Sequence, residues 1–297
     1  MKKNLVIVRA GNNSLHHRWH EIAYEDRNFD LLISYFADEA YAQFTPAPGV
    51  DAVLVKGGKW DGLYKTLVDR DLDGYDYFWL PDDDIDISAQ DVNTLFADMA
   101  RYGLRIAQPS LTPDSYFSHF VFSQCPGFVL RYTNYIEVMA PCLHRKVLEK
   151  ALPLFRETMS GYGLDYIWCR WPESGAFRAA ILDEIAMHHT RPVGKNLKSV
   201  IAEKGGLSSE EEEDVLKDRF DLSYRTVPVV FAAILEGGQP LAGRLKVGWH
   251  MWQSWRSVSS FRSKSEARAG MFKIIRRQFL KPLEMEMISL KPDGTGD

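Results

Sequence analysis

The segment Tyr75-Asp76-Tyr77-Phe78-Trp79-Leu80-Pro81-Asp82-Asp83-Asp84-Ile85-Asp86 constrains this chain more than any other. An aromatic, apolar run of strand character leads straight into a cluster of carboxylates. In extended chain alternate side chains share a face, so Asp82, Asp84 and Asp86 converge while Asp83 faces away. Converging carboxylates repel one another unless protons or a cation lie between them. Hard oxygen ligands favour Mg2+ or Mn2+, and Mg2+ is usually held by one or two carboxylates together with substrate phosphates. On this reading Asp82 and Asp84 are metal ligands. The same residues also suit an acidic turn leading into a helix, because Ser88-Ala89-Gln90-Asp91 has capping-box spacing. Val92, Leu95, Phe96 and Met99 then form an apolar stripe at helical period.

The surrounding pattern alternates strand and helix. Leu5–Val8 reads as a strand buried on both faces, followed by strands at Phe29–Phe36, Asp51–Val55, Tyr75–Leu80 and Arg105–Pro109. Helical spacing runs over Trp60–Leu72. Such alternation predicts an α/β fold, a mostly parallel mixed sheet flanked by helices. Further on, Leu111–Phe128 reads as a long loop, Tyr135–Leu143 as a strand, and Arg145–Met159 as a helix interrupted near Pro153. Another helix opens at Gly161-Tyr162-Gly163-Leu164-Asp165 and reaches Trp168. A strand spans Phe177–Met187, and a turn spans Lys204–Gly206. We expect a catalytic domain over residues 1–200 and a helical, basic, aromatic extension over 201–297.

Ligands of open α/β sheets bind beyond the carboxyl ends of the strands. The loops Arg9–His17 and Lys56–Lys59 and the Asp cluster all follow strands, so they should share one rim. Arg9 and Gly11 are candidate ligand contacts, although Arg9-Ala10-Gly11-Asn12-Asn13-Ser14 is not a Gly-x-Gly-x-x-Gly loop. Val55-Lys56-Gly57-Gly58-Lys59-Trp60 lacks the spacing of a phosphate loop, yet Lys56, Lys59 and Lys65 could meet phosphates. His188-His189, close to Asp183, is either structural or metal-ligating. Asp165 is either a first-turn helix acid or a general base for an acceptor hydroxyl. The acids of Ser208-Ser209-Glu210-Glu211-Glu212-Glu213-Asp214 read as a solvated helix start.

Charge is unevenly spread. The net charge is -4, but residues 244–281 carry ten Lys and Arg against Glu266 alone. Trp249, Trp252, Trp255, Phe261, Phe272 and Phe279 are interleaved with them. That mixture suits an anionic membrane surface, or aromatics packed on the body beneath solvated charge. The acidic body opposes nucleic acid as a partner. Cys125, Cys142 and Cys169 show neither zinc nor disulfide spacing, which fits a reducing compartment. The apolar runs Leu5–Val8 and Val227–Leu235 are too short for a signal-peptide core and a membrane span respectively. We expect a cytoplasmic protein, soluble or peripheral on the inner face of the membrane.

Five pieces in order carry a resemblance: Lys59-Trp60 with Lys65; Tyr75–Ile85; Glu137-Val138-Met139-Ala140-Pro141 with Arg145; Tyr162-Gly163-Leu164-Asp165; and Ile181-Leu182-Asp183 leading to His188 and Pro192-Val193-Gly194. Together, over roughly residues 5–195, they resemble an uncharacterised family, domain of unknown function 707, with a glycosyltransferase-A type core. The resemblance implies a metal-dependent glycosyltransferase, with inversion preferred, moving sugar from a nucleotide-diphospho-sugar to a carbohydrate or lipid-linked acceptor. It implies Mn2+ or Mg2+ on Asp82, Asp84 and His188. It assigns donor contacts to Arg9, Gly11, Lys59, Lys65, Asp82 and Asp83, and catalytic roles to Asp165 as base and to Glu137. Asp183 becomes an acceptor-side or supporting group. The rivals are a nucleotidyltransferase, which would release pyrophosphate, and a non-catalytic carbohydrate-binding protein on a degenerate transferase fold.

Overall fold

The computed structural model describes residues 1–171, 173, 178–192, 207–222, 225–284 and 286. Phe177, Val193, Gly194 and the turn expected at Lys204–Gly206 lie outside the described residues. Strand β1 (Asn4–Ala10) is buried along its whole length, as its unbroken apolar run requires. It pairs in parallel with β2 (Phe29–Tyr35), and β2 pairs in parallel with β3 (Val50–Leu54). Between them lie the short α1 (Asp38–Ala42) and, after β3, α2 (Trp60–Leu67). β4 (Tyr77–Trp79) joins the other side of β1, again parallel. The two-residue β5 (Ile85–Asp86) follows the carboxylates, and α3 (Ala89–Arg101) follows β5. Ser88 caps α3 by accepting from the Asp91 amide, as the capping-box spacing predicts.

The second half of the sheet is built from β6 (Ile106–Leu111), β7 (Phe128–Thr133), β8 (Cys142–His144) and β9 (Ala179–His189). Helix α4 (Arg145–Phe155) and the single turn α5 (Leu164–Ile167) lie between β8 and β9. After α6 (Ser209–Arg219) the chain adds β10 (Val230–Leu235), β11 (Pro240–Ala242), α7 (Arg244–Ser257) and α8 (Lys264–Leu280). The strand order is β11-β10-β7-β9-β6-β8-β4-β1-β2-β3, with β5 paired to the far end of β9. From the pairings, β3, β2, β1, β4, β6, β9 and β10 run one way and β8, β7 and β11 the other. The sheet is therefore mixed, with helices packed against it, as the alternation predicts.

Three expectations are corrected. Residues 135–141 are not strand; β8 is Cys142–His144 alone, and the segment before it runs beside the end of β4, where the Leu80 and Asp82 amides bond the Pro141 and Met139 carbonyls. β7 begins at Phe128, inside what composition marks as loop. The C-terminal part is not purely helical. The apolar run ending at Leu235 forms β10, which pairs with β7, so residues beyond 200 extend the same sheet. A buried strand and a short membrane-like run share one composition, and only pairing separates them. No helix among the described residues is long and apolar enough to cross a membrane.

Candidate metal and transfer site

A cleft of about 640 Å³ opens beyond the carboxyl ends of the parallel strands. The three loops expected on one rim meet there. The Gly11 amide donates to Asp83 Oδ2 at 3.0 Å. Lys59 Nζ donates to Asp82 Oδ1 at 2.6 Å and to the carbonyls of Val138 and Met139 at 2.7 and 2.8 Å. Asp83, in the turn between β4 and β5, thus ties its loop to the β1 loop. Asp86, expected to converge with Asp82 and Asp84, instead bonds Arg18 at 2.5 Å, because the turn at Asp83-Asp84 breaks the extended alternation. Arg191 Nη1 reaches the other Asp83 oxygen at 3.1 Å.

Asp82, Asp84 and His189 each offer one ligand atom, and these atoms all lie within 4.8 Å of one another. His189 Nε2 stands 3.3 Å from Asp84 Oδ2. The His189 Nδ1 lies 3.1 Å from the Tyr116 carbonyl. A carbonyl only accepts, so Nδ1 carries a proton and Nε2 faces the carboxylates. That contact needs a proton shared between the two groups or a cation between them. Burial disfavours charge on His189, but its bond to Asp84 outweighs this and raises its pKa. Burial also raises Asp82 and Asp83, against the opposing pull of Lys59 and of the Gly11 amide respectively. Two carboxylates and an oriented imidazole fit a divalent cation.

The imidazole at this position corrects an expectation. His188, one residue earlier, is on the opposite face of β9, with Nε2 4.0 Å from Asp114. The β5–β9 register, Ile85 opposite His189, brings the second histidine of the pair to Asp84. Sequence alone offers the doublet and no means of choosing between its members.

Farther into the cleft lie Asp165 and Glu137, both buried. Gly163, at φ +99°, turns the chain into α5 in a conformation that side chains resist, and Asp165 falls in the first turn. Tyr135 Oη donates to Asp165 Oδ2 at 2.5 Å, and His119 Nε2 is 3.2 Å from the same hydroxyl. Among the described residues, neither Asp165 Oδ1 nor Glu137 Oε1 has a hydrogen-bond partner. Burial raises Asp165 to about 7, even against the Tyr135 bond. Burial, with Asp165 adding to it, holds Glu137 well above the usual carboxylate range. Burial lowers His119 to about 4, so its ring is neutral at pH 7. Tyr135, His119 and Arg191 carry no sequence signal of their own; the fold alone brings them here.

Other candidates sit differently. Arg9 lines the cleft, but its guanidinium is spent on protein: the carbonyls of Val55, Gly57 and Gly58, and both oxygens of Ser34. It holds the β3–α2 loop in place, and burial lowers it to about 10. Lys65 does not line the cleft; it bonds Asp61 at 2.9 Å on the outer side of α2. Lys56 pairs with Asp38 at the surface. Asp183 is also absent from the cleft. It lies in a bulge of β9, fully buried, bonded to Arg131 Nε at 2.6 Å and Nη2 at 2.9 Å, and to the Cys125 amide. The acidic helix start is only partly solvated. Glu212 and Glu213 are buried, and Glu212 binds the amides of Met159 and Ser160 and the hydroxyls of Thr158 and Ser160. It thereby pins the loop that precedes Asp165. A helix of 3.6 residues per turn places some members of any acidic run inward.

No protein-family model and no curated protein matches the chain. Among solved structures, S. aureus TarS in complex with UDP-GlcNAc aligns at 10% identity over 73% of this chain and 71% of that chain, with a TM-score of 0.43. The same protein with UDP aligns at 9% identity over 73% and 70%, with a TM-score of 0.39. A longer TarS structure covers 94% of this chain and 55% of that one at 12% identity and a TM-score of 0.38. At these scores nothing is concluded from the likeness; the α/β architecture rests on this chain's own strand order.

Proposed function

We propose that this protein is a metal-dependent glycosyltransferase that moves a sugar from a nucleotide-diphospho-sugar to an acceptor hydroxyl, with inversion. One observation carries the reading. A candidate cation site of Asp82, Asp84 and His189 shares a single cleft with a buried carboxyl, Asp165, whose pKa is near neutral and whose Oδ1 is unpartnered. A bound divalent cation would supply charge neutralisation for a departing diphosphate. One nitrogen among three donors tilts the choice from Mg2+ toward Mn2+. Lys59 fixes Asp82, and Tyr116 fixes the His189 ring, so the donor atoms are held before anything binds.

The remaining chemistry belongs to the chain. Tyr135 occupies Asp165 Oδ2, which leaves Oδ1 to accept the proton of an acceptor hydroxyl. A base with a pKa close to the working pH is suited to that transfer. Glu137, whose burial pushes its carboxyl toward the protonated form, would donate to a second acceptor hydroxyl when protonated. Arg191 at the rim and the Gly11 amide close the donor side through Asp83. The five-piece resemblance to domain of unknown function 707 supports the same reading, with His189 in place of His188. Calorimetry with UDP and GDP tests it. Binding should require Mn2+ or Mg2+, and Asp84→Ala should abolish the requirement. Equal affinity in EDTA refutes the metal assignment, and pyrophosphate release from a donor screen would show a nucleotidyltransferase instead.

A further inference from the structure

Helices α7 and α8 lie side by side, with Gly248 packed against Gln278, whose amide bonds the Arg244 carbonyl. Their inner faces are buried through Val247, Met251 and Trp255 and through Ala267, Met271 and Ile274. Among the described residues nothing covers the outer faces. Trp249 is 56% and Phe272 65% exposed, with Leu245, Phe279 and Leu280 also open. The Trp252 and Phe272 rings meet at 5.3 Å, so the outer faces of the two helices form one surface. At helical spacing, Lys246, Arg256, Arg268, Lys273 and Arg276 surround these apolar residues, all exposed. None of the five pairs with an acid among the described residues. Glu266, the one acid of the two helices, is held by Arg262.

We infer that this face docks on an anionic lipid bilayer. Cationic side chains meet headgroups while Trp and Phe sit at the interface, the arrangement of an in-plane amphipathic helix. The other occupants fit less well. A second copy would oppose like charge to like charge. A nucleic acid would leave Leu245, Phe279 and Leu280 unburied and would meet an acidic body. The position is also apt for the cleft. α8 packs through Gly270 on Phe120, and the adjoining His119 lines the acid end of the cleft.

Flotation of the full-length protein with phosphatidylglycerol and with phosphatidylcholine vesicles tests the inference, using Lys273→Glu with Arg276→Glu and, separately, Trp249→Ser with Phe272→Ser. These residues are exposed, and unchanged melting curves would show that each variant is folded. We expect flotation with the anionic vesicles only, weakened by salt. Each lost cation should reduce partitioning roughly fivefold, so the double charge reversal should reduce it by at least about 20-fold. The apolar pair should also weaken it. No flotation of the wild type, or undiminished flotation of both variants, overturns the inference. So does a shift from dimer to monomer on Phe272 replacement without vesicle binding, which would make the face a contact between copies.

Discussion

Asp165→Asn keeps the shape of the side chain and an oxygen able to accept from Tyr135, but removes the titrating group. Burial raises the Asp165 carboxyl from its ordinary 3.8 to about 7. The folded state therefore holds this proton more tightly than the unfolded state. Below pH ~4 both states are protonated and the group costs nothing. Between pH ~4 and ~7 the folded state binds more protons, so stability falls as pH rises, by up to ~1.4 kcal/mol per pH unit. Above pH ~7 both states are ionised and the cost is constant, with a ceiling of ~4 kcal/mol for a gap of about three pH units. Asn escapes this cost, and it also relieves Glu137, whose carboxyl Asp165 helps to raise. Urea unfolding at pH 5, 6, 7 and 8 should show the variant gaining on the wild type from pH 5 to 7 and levelling off near pH 8. Turnover should move the opposite way. The wild-type rate should climb through pH ~7, while the variant loses roughly two to four orders of magnitude with little change in donor affinity. A stability difference that ignores pH, or normal transfer by the variant, would refute the assignment of Asp165 as a raised-pKa base.

Other outcomes follow from the same geometry. His189→Ala should weaken Mn2+-dependent binding of nucleoside diphosphates by calorimetry, whereas His188→Ala should leave it within a few-fold of the wild type. Asp183→Ala strands the buried Arg131 guanidinium and should destabilise the fold by about 3–5 kcal/mol in urea titrations, as breaking a buried pair does; a small effect would mean the pair is not closed in solution. Lys65→Ala should leave donor affinity unchanged, since Lys65 lies outside the cleft.

The local rules written in this sequence were enough for the β-α alternation, the cap of α3 and the single rim on which the Arg9, Lys59 and Asp82 loops meet. A strand buried on both faces needs an unbroken apolar run, and β1 has one. Alternation along an extended chain brings Asp82, Asp84 and Asp86 together on paper, but a turn at Asp83-Asp84 leaves only Asp82 and Asp84 in the cluster and sends Asp86 to Arg18. Asp165 and Glu137 could be named from local pattern and resemblance, but their shared burial in one cleft could not. What required the tertiary structure was every choice depending on a distant neighbour. His189 faces the carboxylates because β5 pairs with β9 in one register, and a shift of one residue would present His188 instead. Arg9 is occupied because five oxygens from Ser34 and the β3–α2 loop happen to surround it. Asp183 looks like a site residue in one dimension and is an ion-pair partner of Arg131 in three. Val230–Leu235 became a strand because β7 left an edge to fill. Side-chain chemistry is a property of the residue, but pKa, charge state and access belong to whatever the fold packs against it, and those neighbours are far away in sequence.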